Sequence, residues 1–250
     1  MSTGSLTRSP LQSARTEVGE QIRLSSLSLI IPAYNDEQTI GRLLMDAGRL
    51  LPSVSEDYEI VVCNDGSSDN TLQVIKDMAE ENPRIHVINH PSNKGFGATI
   101  RELYLSGRND YIFSLPGDYQ YAPKELLTMV KGLIENDFVI GWRVQRNDPP
   151  RRKLQSLVYN FMLRLFYGNR NKDVNSIKLF RREILENIEL RSESPFVDAE
   201  LCIRAAHAGY KVVEIPIEHL PRMTQGASGG KLSIILDTFS DLINMRKTFK

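Results

Sequence analysis

Cysteine and tryptophan are scarce in this chain of 250 residues: Cys63, Cys202 and a single Trp142. Two cysteines in separate apolar runs can build neither a disulfide framework nor a multi-cysteine metal site. That excludes the small stapled secreted folds, suits a reducing compartment, and leaves both thiols as expected packing residues. The four histidines are His86, His90, His207 and His219; the one i, i+4 pair, His86 and His90, falls in and just after the expected strand at 84–89 and not on a helix, where such a pair binds zinc. Only His219 is expected beside a site; solvation or packing is expected of the others. Net charge is absent as well, with 31 basic and 31 acidic residues, so the overall balance favours no particular partner and no nucleic acid is expected. No run reaches the ~18 consecutive apolar residues that a membrane-spanning helix needs. Residues 1–25 are rich in Ser, Thr, Gln and Arg and carry no apolar stretch, which reads as a mobile tail and not a secretory signal. No internal repeat or linker divides the remainder, so one composite domain is expected.

What is present is a rhythm. Residues 27–32 (LSLIIP), 59–63 (EIVVC), 84–89 and 111–115 are short apolar runs fit for buried parallel strands. Between them, residues 36–51 show helical spacing through Ile40, Leu43, Leu44, Ala47 and Leu51, with Pro52 as the expected stop. Asp69 can cap a second helix running to about residue 79, and the glycine-bearing 93–98 opens a third that ends near Gly107. Pro123 stands where a fourth would begin. This alternation predicts an α/β fold, a Rossmann-like, mostly parallel sheet with helices on both faces. The second half is less regular: a strand at 138–141, a helix at 152–167, a strand at 177–180, a helix at 198–208, a strand at 211–217 and a final helix at 232–247 are expected. In such sheets ligands sit outside the carboxyl ends of the strands. Three polar clusters fall there: Tyr34-Asn35-Asp36, Asn64-Asp65-Gly66-Ser67 and Gly117-Asp118-Tyr119-Gln120.

The ordered set resembles the family 2 glycosyltransferases of the GT-A fold, and within them the polyprenyl-phosphate sugar synthases of the dolichol-phosphate mannose synthase kind. The resemblance is carried by residues 31–36 (IPAYND), 62–69 (VCNDGSSD), 93–98 (NKGFGA), 117–120 (GDYQ), 178–182 (KLFRR) and 198–201 (DAEL), and spans about 26–232. It implies a nucleotide-binding half at about 26–122, an acceptor half at about 123–232, and an appended amphipathic helix at 233–250. It further implies an inverting enzyme that moves a sugar from a nucleotide-diphosphate sugar to a polyprenyl phosphate.

Tyr34 can lie against a nucleobase, as its family counterpart does, or pack a loop. Asp65 can accept hydrogen bonds from a ribose or base edge, or serve the Gly66 turn, while Asp69 reads mainly as a turn and cap residue. Pro32, Asp36, Asn64 and Gly117 complete the implied nucleotide pocket. Family members usually carry Asp-x-Asp where this chain has Pro116-Gly117-Asp118. The implied divalent cation, Mg²⁺ or Mn²⁺, would therefore rest on Asp118 and Gln120 alone and share the substrate diphosphate. Arg143, Arg222 and Lys231 are the implied cationic partners of that diphosphate. Asp198 corresponds to a carboxylate that acts as general base or orients the acceptor, although helix capping is the competing reading. Residues 173–177 look one residue short of the family pattern, and Trp142 can line the sugar pocket or pack.

From Arg143 to Arg182 there are eleven basic residues against Asp148 and Asp173, an excess that suits an anionic partner. Residues 151–167 and 232–250 are amphipathic and basic, and such helices can lie in a membrane interface or pack a core. A cytoplasmic location, with contact at the membrane face, is the expectation. Two competing readings remain at this level: the same enzyme with a soluble acceptor, or a non-catalytic sugar-nucleotide binder with a degenerate metal motif. Nothing in the sequence specifies an oligomeric state.

Overall fold

The computed structural model describes residues 22–144, 150–221 and 232–248, with side chains left aside at 150–154, 232–235 and 247–248. Seven strands alternate with eight helices in it: β1 (Ser26–Ala33), α1 (Ile40–Val54), β2 (Asp57–Asn64), α2 (Thr71–Glu81), β3 (Ile85–Asn89), α3 (Phe96–Ser106), β4 (Tyr111–Ser114), α4 (Glu125–Gly132), β5 (Phe138–Arg143), α5 (Pro150–Tyr167), β6 (Lys178–Arg181), α6 (Glu183–Asn187), α7 (Val197–His207), β7 (Val212–Ile217) and α8 (Leu232–Thr248). They form one sheet in the order β3-β2-β1-β4-β6-β5-β7. All pairings are parallel except those of β6, which runs antiparallel to both β4 and β5.

Strand β1 is hidden on both faces, because successive side chains point to opposite sides and both sides are covered. Leu27, Leu29 and Ile31 join the apolar cluster under α1, while Ile30 faces a second cluster built with α3 and α7. The chain leaves β1 for β2 on one side, and β4 flanks it on the other, so the strand order reverses across β1. Loops after β1, β2 and β4 thus splay apart at that edge and open a crevice.

Three expectations change in detail. Pro52 lies inside α1 and does not stop it; the helix runs to Val54, where the Ser55 N–H still reaches the Leu51 carbonyl at 2.9 Å. A proline in the last turn forfeits only the bond to the carbonyl four residues back. Residues 36–39 form a turn ahead of α1, with the Thr39 and Ile40 amides both on the Asp36 carbonyl at 2.9 Å. The tail expected through residue 25 gives way to ordered chain by residue 22: Leu24 is buried, its amide donates to the Val54 carbonyl at 2.9 Å, and Arg23 pairs with Glu56 at 2.7 Å. The first 21 residues of that expected tail lie outside the described residues.

Four of the eleven basic residues between Arg143 and Arg182 are paired within the fold: Arg143 with Asp173, Lys178 with Asp198, Arg181 with Asp137 and Arg182 with Glu186. Arg164, Arg170 and Lys172 are exposed, and the side chains of Arg146, Arg151, Arg152 and Lys153 lie outside those described.

Candidate functional site

The crevice is built from interlocked loops. After β1 the chain turns sharply at Asn35, whose φ of 55° is left-handed, a conformation asparagine tolerates better than most residues. That turn ties it to the loop after β2: the Asn35 amide donates to Ser67 Oγ at 3.0 Å, and its side-chain oxygen accepts from the Ser68 amide at 2.9 Å. Asp36 is buried, accepts the Tyr34 amide at 3.0 Å, and gives its own N–H to Thr71 Oγ1 at 2.8 Å. Asp36 therefore shapes the loop, and Tyr34, 43% exposed, is the residue of that cluster that faces outward. Asp69, expected as a cap, accepts the Thr71 amide at 3.0 Å and hydroxyl at 2.6 Å just ahead of α2.

The loop after β4 docks onto this frame through Gly117. Its N–H donates to the Pro32 carbonyl at 3.1 Å and its carbonyl accepts from Thr39 Oγ1 at 2.8 Å. A methyl group there would stand 2.8 Å from Asp36 Oδ2, so only glycine permits the approach. Asp118, mostly buried, follows directly and accepts the Gln120 amide at 3.1 Å. Tyr119 takes the other left-handed non-glycine conformation (φ 55°), held by its hydroxyl on Asp46 at 2.5 Å and by Arg42 over its ring at 4.6 Å. Burial, helped by the bond to Asp46, raises the Tyr119 hydroxyl above its ordinary pKa, so it stays a neutral donor. The Gln120 side-chain nitrogen lies 3.3 Å from His219 Nε2, and the Leu220 amide donates to the Gln120 carbonyl at 2.8 Å. His219 also packs edge-on against Tyr121, with ring centroids 5.2 Å apart.

Asp65 ends β2 on Gly66, whose φ of 64° and closeness to Asn93 both demand glycine: an added Cβ would meet the Asn93 nitrogen at 2.5 Å. The Asp65 carboxylate accepts the Lys94 amide at 2.8 Å and the Gly95 amide at 3.0 Å, and faces His90 Nδ1 at 2.8 Å. Asn64 bonds Asn89 at 2.7 Å. Arg143, at the end of β5, grips Asp173 with both ends of its guanidinium, Nε to Oδ2 at 2.7 Å and Nη2 to Oδ1 at 2.6 Å. Burial pushes the nearby Tyr121 hydroxyl up to about 12; Arg143 opposes that shift, and Asp173 and Asp118 add to it. Those charges thus share one neighbourhood at the edge of the sheet.

Pro32, Tyr34, Asp36, Asn64, Asp65, Gly117, Asp118 and Gln120 accordingly meet at the ends of β1, β2 and β4, with Arg143 two strands away along the same edge. Arg222 and Lys231 lie outside the described residues. Asp198 does not join the group. It is 3% exposed and sits in the core, with Lys178 Nζ at 3.0 Å and the Tyr104 hydroxyl at 2.7 Å. Lys178, fully buried, also donates to the Ser176 carbonyl at 2.8 Å. Asp198 caps no helix, since α7 has no side-chain cap, and its buried position differs from the acceptor-side placement that the resemblance implies. Glu200 serves a separate internal knot with Arg204 at 2.7 Å and the Ser192 amide at 2.8 Å. Sequence reasoning passed over His90, Asp173 and Lys178, whose partners are remote in the chain and carry no local signal.

Among the described residues no three His, Cys, Asp or Glu side chains form a metal cage. The donor set at the β4 edge is one carboxylate, one amide and a neighbouring imidazole. It fits a hard divalent ion that takes its remaining oxygens from a diphosphate.

Comparison with known proteins agrees with this architecture. The glucosyl-3-phosphoglycerate synthase of Mycobacterium tuberculosis, solved with Mn²⁺, UDP and glucosyl-3-phosphoglycerate, superimposes with a TM-score of 0.70 at 16% identity, over 89% of this chain and 80% of that one. The sheet is that of the GT-A fold. A dolichyl-phosphate beta-glucosyltransferase of Trichomonas vaginalis is 31% identical over 210 residues, 77% of this chain and 65% of that protein. A dodecaprenyl-phosphate galacturonate synthase of Rhizobium johnstonii is 27% identical over 237 residues, 91% of this chain and 69% of that one. This chain thus spans about two thirds of the length of these relatives. The model of the family described as glycosyl transferase family 2 matches residues 28–189, and the chain belongs to that family.

Proposed function

We propose that this chain transfers a sugar, with inversion, from a nucleotide-diphosphate sugar to a polyprenyl phosphate at the cytoplasmic membrane face. The observation that carries the donor half is the seating of Gly117 between Pro32 and Asp36, which sets Asp118 and Gln120 over the crevice beside Tyr34 and Asp65. The acceptor half rests on relatives named for dolichyl, dodecaprenyl and undecaprenyl phosphates.

In this reading Tyr34 lies against the base and Asp65 fixes the wall of the nucleoside pocket. Asp118 and Gln120, with His219 alongside, hold the divalent ion, which when bound offsets charge on the departing diphosphate. Arg143, oriented by Asp173, supplies a fixed positive charge at the same edge. An oxygen of the lipid phosphate attacks the anomeric carbon from the face opposite the diphosphate. The carbon–oxygen bond to the β-phosphate breaks, and the electron pair leaves with the nucleoside diphosphate. The centre has oxocarbenium character in between. A phosphate oxyanion is already ionised, so the step requires no buried base. That removes the chemical need for Asp198 at the acceptor.

An exposed apolar stripe supports the lipid acceptor. Helix α5 buries Leu163 and Tyr167 yet exposes Leu157 (69%), Phe161 (64%) and Leu165 (64%) along one stripe, with Arg164 exposed beside it. Among the described residues no helix is long and apolar enough to cross a membrane; the contact proposed is this stripe lying in the interface.

The test is transfer from a panel of nucleotide-diphosphate sugars to undecaprenyl phosphate in liposomes with Mn²⁺. Label is expected in the lipid phase, and Asp118→Ala should lower turnover by about 10²-fold or more. Transfer only to soluble acceptors would overturn the lipid assignment. Donor binding without turnover, unchanged by Asp118→Ala, would overturn the enzyme.

A further inference from the structure

His90 stands one residue beyond β3, where its amide extends the ladder to the Asn64 carbonyl at 2.9 Å. Its ring is buried and points each nitrogen at a carboxylate: Nδ1 is 2.8 Å from Asp65 Oδ1, and Nε2 is 3.0 Å from Glu102 Oε2. An ionised carboxylate only accepts hydrogen bonds, and a neutral imidazole has a single N–H. The buried ring thus spans two carboxylates from different elements and ties Asp65 to Glu102.

Lys94 Nζ lies 3.3 Å from the same Glu102 oxygen, giving a connected run of Asp65, His90, Glu102 and Lys94. The Lys94 backbone N–H then returns to Asp65 Oδ1 at 2.8 Å and closes the ring. The remaining titratable neighbour, Cys63, has its sulfur 3.5 Å from Nε2 and contributes no charge, because burial, aided by Glu102 and Asp65, pushes its thiol up to about 12. Burial works against ionisation of Glu102, but its bonds to His90 and Lys94 outweigh that and hold its carboxyl below its ordinary value.

The ring joins the strand-end carboxylate Asp65 to the turn at residues 93–95 and to helix α3, which follows directly. We propose that His90 is a positioning residue for the donor: it aims Asp65 and fixes the 93–95 turn that walls the nucleoside pocket. This rests on the donor reading above.

The test is calorimetric affinity for UDP and GDP, with Mn²⁺ present, in wild type, His90→Gln, Asp65→Asn and the double variant. His90→Gln should weaken binding about tenfold in the wild-type background and less than about twofold in the Asp65→Asn background, because coupled residues are not additive. Equal losses in both backgrounds, or none, overturn the proposal. Glu102→Gln, on the exposed side of the ring, guards against a misfolded core variant; it should weaken binding about threefold, and no change there overturns the coupling. If wild type binds neither nucleotide although circular dichroism shows it folded, the donor reading is what fails, and the positioning role falls with it.

Discussion

The buried pair of Lys178 and Asp198 separates structure from catalysis. Both side chains are out of solvent, and the ammonium has two acceptors, Asp198 Oδ1 at 3.0 Å and the Ser176 carbonyl at 2.8 Å. Lys178→Met removes the cation and leaves Asp198 with the Tyr104 hydroxyl at 2.7 Å in an apolar cluster of Phe138, Phe180 and Cys202. Stranding one member of such a pair costs about 3–5 kcal/mol. In a domain of this size that lowers the melting temperature by roughly 10 °C. Asp198→Asn retains an oxygen for Tyr104 and Lys178 but surrenders the charge, so its cost should be smaller, about 2 kcal/mol. The double variant Lys178→Met/Asp198→Leu replaces both charges with apolar groups and should recover most of the loss, to within about 1–2 kcal/mol of wild type. Chemical denaturation of the four proteins reads these values directly, and transfer assays run below the lowest melting point read function. A structural pair predicts turnover in the double variant near that of wild type. The reasoning is refuted if Asp198→Asn melts within about 0.5 kcal/mol of wild type while abolishing turnover, because that is the signature of a catalytic carboxylate.

Other outcomes follow from the same geometry. Gly117→Ala inserts a methyl against Asp36 Oδ2 and should destabilise by about 1–3 kcal/mol while weakening metal-dependent nucleotide binding; a variant normal in both denaturation and calorimetry would contradict the wedge. Leu157→Glu/Phe161→Glu on α5 should abolish flotation with anionic liposomes and leave the melting temperature nearly unchanged; persistent flotation would remove α5 from the membrane surface. Glu59 is held below its ordinary value of 4.5: burial opposes ionisation, but bonds from Ser28 and Arg108 prevail. A depressed carboxyl stabilises the fold above its unfolded pKa and loses that contribution as pH falls through the folded value. Denaturation midpoints should therefore drop below about pH 4.5 more steeply in wild type than in Glu59→Gln, and parallel curves would exclude the linkage.

The donor edge was legible because its information is local. A strand that must be buried on both faces reads as LSLIIP, and a loop that must turn at its end reads as Tyr-Asn-Asp or Asp-Gly-Ser, so strand ends and polar clusters can be placed together without coordinates. Gly117 is the same kind of signal, since only close approach explains a glycine next to Asp118. The acceptor side was less legible for a matching reason. Arg143 and Asp173, Lys178 and Asp198 are pairs formed across the fold, and a charged residue looks the same in sequence whether it faces solvent or a buried partner. The basic excess between 143 and 182 therefore read as a surface, although Arg143, Lys178 and Arg181 turn inward. The direction of β6 was equally hidden, because a four-residue strand carries no mark of which way it runs.

That reversed strand has a consequence for how such a chain can diversify. Because β6 enters the sheet at Lys178, opposite Ser114 at the end of β4 and Ile140 near the end of β5, the segment leading into it arrives at the very edge where the donor loops leave. Residues 173–177 are therefore tied to that edge on their own account: Asp173 holds Arg143 at 2.7 Å, Ser176 accepts from Lys178 at 2.8 Å, and the Ile177 carbonyl accepts the Gly141 amide at 2.9 Å. A change in this short segment would reach Arg143 and the end of β5 together, so grafting it between related enzymes should alter affinity for the diphosphate along with any acceptor preference.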